Sequence, residues 1–83
     1  MEQQEIINRL KEIIKTYVQD KEAFAAITPT THLINDLKIN SAHVVDIILD
    51  TEEAFDIEID DEAAEKMLTV QAAVDIVSEK LGA

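Results

Sequence analysis

Apolar residues recur at helical spacing in three separate stretches of this 83-residue chain, which holds a single glycine and a single proline. Ile6, Ile7, Leu10, Ile13, Ile14, Tyr17 and Val18 fall on one face of a helix from residue 1 to about 19, with Glu2, Glu5, Arg9, Lys11, Glu12 and Lys15 filling the rest. A second helix runs from Ser41 to about Phe55. In the last helix, Val70, Ala73, Val74, Val77 and Leu81 form the buried stripe, with Thr69 as cap and Gly82 after the final turn. Asp60 or Asp61 can cap a short third helix through about Lys66, which Met67 and Leu68 close. Ile57 and Ile59 alternate with Glu58 and Asp60, but nothing nearby pairs with a strand, so this segment reads as an extended connection. The predicted fold is all-α: a small four-helix bundle with three main helices, one short third helix and a long first loop, in one domain spanning residues 1–83.

That first loop, residues 20–40, breaks the pattern. Pro29 biases Thr28 away from helical geometry, and Thr-Pro-Thr-Thr is loop chemistry. Phe24, Ala25, Ala26 and Ile27 can dock on the bundle, while Leu33, Ile34, Leu37 and Ile39 pin the loop to the core. Loops this long in so small a domain are often functional.

With no cysteine there is neither a disulfide framework nor a thiolate metal site, so apolar packing alone must hold the fold. Aromatic residues are only 4% of the chain, which makes that core one of Ile, Val, Leu and Ala. Seven basic residues against 18 acidic ones give a net charge of −11, which repels nucleic acid and anionic membranes and attracts basic protein surfaces. The N-terminus shows no cationic segment followed by an apolar run, and no 18 apolar residues are consecutive. The expectation is a soluble, cytoplasmic monomer that neither inserts in membranes nor binds nucleic acid.

The charge is concentrated. From Ile39 to Glu65 there are ten Asp or Glu and no Lys or Arg. Placing the second helix at 100° per residue puts Ser41, Val44, Val45, Ile48 and Phe55 on one side. His43, Asp46, Asp50 and Glu53 lie opposite, with Ile47 and Ala54 as exposed apolar neighbours; Glu52 falls toward the apolar side without a reason legible in the sequence. Ser41 stands where loop becomes helix. There its oxygen can cap the first turn, and the unpaired N–H groups and the helix dipole favour a phosphate.

Catalysis finds little support. Ser41 and His43 are two residues apart on a helix and face different ways, the lone glycine excludes a Gly-x-Ser-x-Gly elbow, and no oxyanion hole accompanies His43 and Asp46. The run Asp56–Glu62 departs from a calcium loop at Asp61, where glycine is required, and at Met67, where a bidentate glutamate belongs. His32 and His43 lack metal-ligand spacing. Two non-enzymatic readings remain on these residues: a modified carrier, and an acidic interaction module whose second helix docks in a basic groove.

Asp36-Leu37-Lys38-Ile39-Asn40-Ser41, followed by Val45, Ile48, Glu52-Glu53 and Phe55, resembles an acyl carrier protein of fatty-acid or polyketide synthesis, whose attachment motif reads Asp-Leu-Gly-x-Asp-Ser-Leu. Residues 55–66 look like the family's link into its short third helix, and Thr69–Asp75 like the start of its fourth. The likeness covers residues 1–81 and is strong from Leu33 onward. It implies that Ser41 carries a 4′-phosphopantetheine arm, taken from coenzyme A by a phosphopantetheinyl transferase, and that the arm's thiol holds acyl groups as thioesters. It also implies that acyl chains shelter between the helices, and that synthase and acyltransferase enzymes dock with basic patches on Asp36, Leu37, Asn40, Ala42, His43, Asp46, Ile47, Asp50 and Glu53. The chain itself is then no enzyme, binds no structural metal, and works as a discrete carrier. It departs from the family at four places. Asn40 replaces an aspartate that helps hold the transferase's magnesium, Lys38 replaces glycine, Ala42 replaces leucine, and His43 stands at a position often acidic. Together these suggest a specialised carrier. No Gly-Gly-His or Gly-Gly-Asp run precedes Ser41, unlike the carriers of peptide synthetases.

Overall fold

The computed structural model describes residues 2–82, folded as α1 (Gln3–Lys15), α2 (Lys21–Ala25), α3 (Ser41–Phe55), α4 (Asp61–Lys66) and α5 (Val70–Lys80). The all-α bundle expected from the periodicities is present, with α1 packed along both α3 and α5, and α4 against α5. One further turn of helix, α2, sits inside the long loop. Its origin is Asp20, whose carboxylate accepts the Glu22 and Ala23 N–H groups at 3.0 and 3.2 Å. The same cap explains why α1 stops at Lys15 rather than near residue 19. The chain must leave the helix to reach Asp20, and it does so in a tightened turn where Thr16 and Tyr17 N–H groups reach back only three residues, to Ile13 and Ile14.

The later caps follow the sequence. Asp60 Oδ1 accepts the Ala63 N–H at 2.8 Å to start α4, and Thr69 Oγ1 accepts the Ala72 N–H at 3.1 Å to start α5. Gly82 follows α5 at φ 76°, a left-handed conformation that costs glycine little. Among the described residues no strand forms, and Ile57–Ile59 is an extended connection, as expected.

Buried side chains from every segment except α2 and α4 meet in one core, including Ile6, Leu10 and Ile14 of α1, Leu33, Leu37 and Ile39 of the loop, Met67, and Val70, Val74 and Val77 of α5. The loop is bound by backbone as well. The first N–H groups of α5 have no partner within their own helix, and the loop supplies them: Val70 donates to the Thr31 carbonyl at 3.1 Å and Gln71 to the Pro29 carbonyl at 2.9 Å. Leu33 N–H donates to the Leu68 carbonyl at 2.8 Å, and His32 and Thr69 form an isolated antiparallel bridge. Glu52, unexplained in the sequence, has its function here. Its carboxylate accepts the Ile59 N–H at 2.8 Å and its carbonyl accepts the Ile57 N–H at 3.0 Å, tying the extended connection to α3.

Candidate functional site

The approach to α3 is built by side chains bonding to nearby backbone. Asp36 Oδ2 accepts the His32 N–H at 2.7 Å, and His32 Nδ1 accepts the Ile34 and Asn35 N–H groups at 3.2 and 3.1 Å. Leu33, Leu37 and Ile39 then drop into the core. Leu37 is 2% exposed, the peg for the loop that the sequence reading made it, and so buried it offers little surface for the partner contact also assigned to it. Between two of these pegs, Lys38 takes a left-handed backbone (φ 58°), the conformation for which glycine is suited. The glycine-to-lysine departure noted above therefore changes the backbone's ease as well as its charge.

The cap of α3 is Asn40, not Ser41. Asn40 Oδ1 accepts the Ala42 N–H at 2.8 Å, and the Asn40 carbonyl accepts from His43 and Val44. Ser41 is thereby the first residue of the helix, exposed, with its hydroxyl outside the cap. The amide at position 40 is an efficient cap in its own right.

The faces of α3 are rotated from the sequence reading. Val44, Ile47, Thr51 and Phe55 are buried and Ile48 partly so, whereas Val45 and Leu49 stand 57% and 56% exposed. Ile47, expected on the partner face, is 1% exposed and belongs to the core. Thr51 is the reason. As a polar residue it looks unfit for a seam, yet its hydroxyl donates to the Ile47 carbonyl at 2.7 Å, and so satisfied it is wholly buried. The solvent side carries Ala42, Val45, Asp46, Leu49 and Glu53, an apolar stripe set among carboxylates. Sequence reasoning missed Val45 and Leu49; reading 44, 47, 48, 51 and 55 as one stripe with a threonine in it would have found them.

Asp50 also differs from expectation. It is half-buried and accepts the Tyr17 O–H at 2.6 Å, while the Tyr17 ring lies 5.6 Å from the His43 ring. This cluster locks the end of α1 to α3. The Tyr17 phenol is raised from 10.0 to about 12, foremost by its hydrogen bond to Asp50, then by burial and by the charges of Asp50 and Asp46. The fold favours the protonated phenol, so its contribution is complete below the unfolded value near 10 and lost as pH rises toward about 12. Tyr17 is the only tyrosine in the chain, so alkaline titration of phenolate absorbance should give one transition, late when folded and early in urea. Tyr17→Phe should lose less stability than the parent on going from pH ~9 to ~11.

Beside Ser41, a cleft of about 380 Å³ opens between the end of α1, the start of the loop and the entry to α3. Among the described residues no three or more His, Asp or Glu side chains are placed to share a metal ion, and no helix is long and apolar enough to cross a membrane.

No protein-family model matches the chain. It is 41% identical over 80 residues to the acyl carrier protein of Picosynechococcus, an alignment covering 96% of each chain. It is 39% identical over 79 residues to that of Rubrobacter xylanophilus, covering 95% of each, and 38% identical to that of Guillardia theta across the full length of both. The solved structure of the acyl carrier protein from Enterococcus faecalis superposes with a TM-score of 0.80 at 31% identity, over 96% of this chain and 99% of that one.

Proposed function

Because the chain belongs to the acyl carrier protein family, we propose that it carries acyl groups on a 4′-phosphopantetheine arm esterified to Ser41 and presents them to separate enzymes. The observation that carries this reading is an exposed serine hydroxyl at the first position of α3, relieved of capping by Asn40. A serine spent as a cap would have to surrender that bond on modification; this one surrenders nothing. A phosphodiester on its oxygen would sit at the positive end of the α3 dipole. When bound, the arm supplies a thiol that holds the acyl group as a thioester. The protein's own task is to hold the attachment point still and accessible, and it is not itself a catalyst.

Charging would need a transferase and magnesium. Asn40 Oδ1 already accepts the Ala42 N–H, so it offers the metal little, and the exposed Asp36 would supply a carboxylate in the approach to Ser41. Incubation with coenzyme A, magnesium and a broad-specificity transferase should add one phosphopantetheine mass increment. An unchanged intact mass with every transferase tried would favour the unmodified acidic interaction module instead.

Partners of this carrier would dock with basic patches on the solvent face of α3, where Asp46 and Glu53 steer and Val45 and Leu49 supply apolar contact, with Ala42 and His43 beside the arm. Asp46→Lys combined with Glu53→Lys should slow acyl transfer to a basic partner by about tenfold at low salt, a difference that shrinks as salt is added. Asp50 is unsuited to such a test because its carboxylate is bonded to Tyr17. A salt-independent defect, or loss of helical circular dichroism in the double variant, would contradict the assignment of this face.

A further inference from the structure

The few basic side chains of this acidic chain are unevenly used. Arg9, Lys66 and Lys80 pair with Glu5, Glu62 and Asp60, whereas Lys11, Lys15 and Lys21 form no ion pair among the described residues. These three lie together: Lys11 and Lys15 are one turn apart on α1, and Lys21 opens α2. Arg9 and Lys11, two residues apart, point to opposite sides of α1. Arg9 reaches the Ala54 carbonyl of α3 at 3.5 Å, so the lysine row faces away from α3.

Along that row the protein is hollowed. A cleft of about 340 Å³ is lined by Lys15, Val18, Lys21 and Phe24. Another, of about 200 Å³, lies between Ile7 and Lys11 of α1, Ile27 of the loop, and Val70 and Val74 of α5. Phe24 shares the first cleft with Lys15 and Ile27 shares the second with Lys11, so the two succeed one another along the seam where α2 and the loop after it run back beside α1. No Asp or Glu lines either cleft, in a chain that has 18 of them. Asp20, next to Lys21 in the chain, holds the α2 cap, and Asp75 accepts the Gln71 amide at 2.7 Å. The seam therefore has an apolar floor and a cationic rim, with Lys11 half-buried so that its stem adds to the wall.

Such a seam suits an anionic, apolar and narrow occupant. A broad anionic surface such as a membrane would also meet the rest of a chain of net charge −11, and a second copy would bring the same charge again. A single helix, about 10–12 Å across, meets the seam alone. We propose that this seam docks an acidic amphipathic helix of a partner protein, its apolar stripe set into the two clefts and its carboxylates paired with Lys11, Lys15 and Lys21. This goes beyond the carrier reading, in which the partner surface on α3 is basic. A carrier held by α3 alone can swivel about that helix, and a contact of opposite sign on another face fixes its rotation.

The test titrates unmodified, full-length, isotope-labelled protein with a synthetic acidic amphipathic peptide, leucines at helical spacing and glutamates between them, and follows it by NMR. The methyl resonances of Ile7, Val18 and Ile27 should shift, while those of Val45 and Leu49 on α3 stay in place. Lys15→Met combined with Lys21→Met, both exposed and so of little consequence to the fold, should weaken binding about tenfold, and Lys15→Arg with Lys21→Arg should retain it. No shift at millimolar peptide would overturn the proposal. Equally tight binding of a scrambled peptide of the same composition would do so too, since it would show charge attraction without a docked helix. Shifts at these methyls that grow with protein concentration alone would make a second copy the occupant. Lysine-dependent sedimentation with phosphatidylglycerol vesicles, without peptide binding, would make it a membrane, and either result would overturn the partner helix. The Ser41 reading stands apart from all of these outcomes, because the protein titrated carries no arm.

Discussion

Ser41→Ala is expected to gain no mass on incubation with coenzyme A, magnesium and transferase, under conditions that convert the unmutated chain completely. The fold should barely notice. Alanine is at least as good a helix former as serine, and the hydroxyl lies outside the α3 cap, so stability should change by no more than about 0.5 kcal/mol. Asn40→Ala supplies the contrast. It removes the oxygen that holds the Ala42 N–H and should cost about 1 kcal/mol, the usual loss of a helix cap, without removing the nucleophile. Urea denaturation of the two variants therefore separates the two jobs found at this junction. Were Ser41→Ala to lose as much stability as Asn40→Ala, the hydroxyl would be a structural element and its availability to a transferase would be in doubt.

The junction also shows what the sequence could and could not tell. Helix existence and most caps were legible, because apolar spacing and residues such as Asp60 and Thr69 act locally. Assigning the α3 cap to Ser41 erred by one position because asparagine and serine, side by side, are both good caps, and only the path of the chain from Lys38 decides which side chain reaches the Ala42 N–H. The turn of helix at Lys21–Ala25 was missed for a related reason: five residues give too little periodicity to see, although Asp20 announces it. Ile47 and Asp50 were placed on the surface since nothing local reveals that one shares a buried stripe with Thr51 and the other meets Tyr17, 33 residues away. Burial and long-range pairing belong to the packed bundle, not to any one stretch.

The rotation of α3 leads to the other large expected effect. Ile47→Ala should cost about 2–5 kcal/mol, since the side chain is 1% exposed in a close-packed core and its removal leaves a cavity. For a small domain with a total stability of about 5–15 kcal/mol, that is a large share of the whole. Leu49→Ala, two positions along, removes a side chain that is 56% exposed and should cost less than about 0.5 kcal/mol. Their effects on function should be reversed. An exposed leucine among carboxylates fits the apolar centre of a docking surface, where truncating an anchor weakens binding by more than about 1 kcal/mol, or roughly fivefold or more. So Leu49→Ala should fold normally and transfer its acyl group poorly at limiting partner concentration, while Ile47→Ala should transfer normally at low temperature, where it remains folded, and fail on warming. Denaturant midpoints together with transfer rates would discriminate the two. A cost for Ile47→Ala as small as that expected for Leu49→Ala would return α3 to the orientation inferred from its sequence, with Ile47 outside and Thr51 excluded from the core.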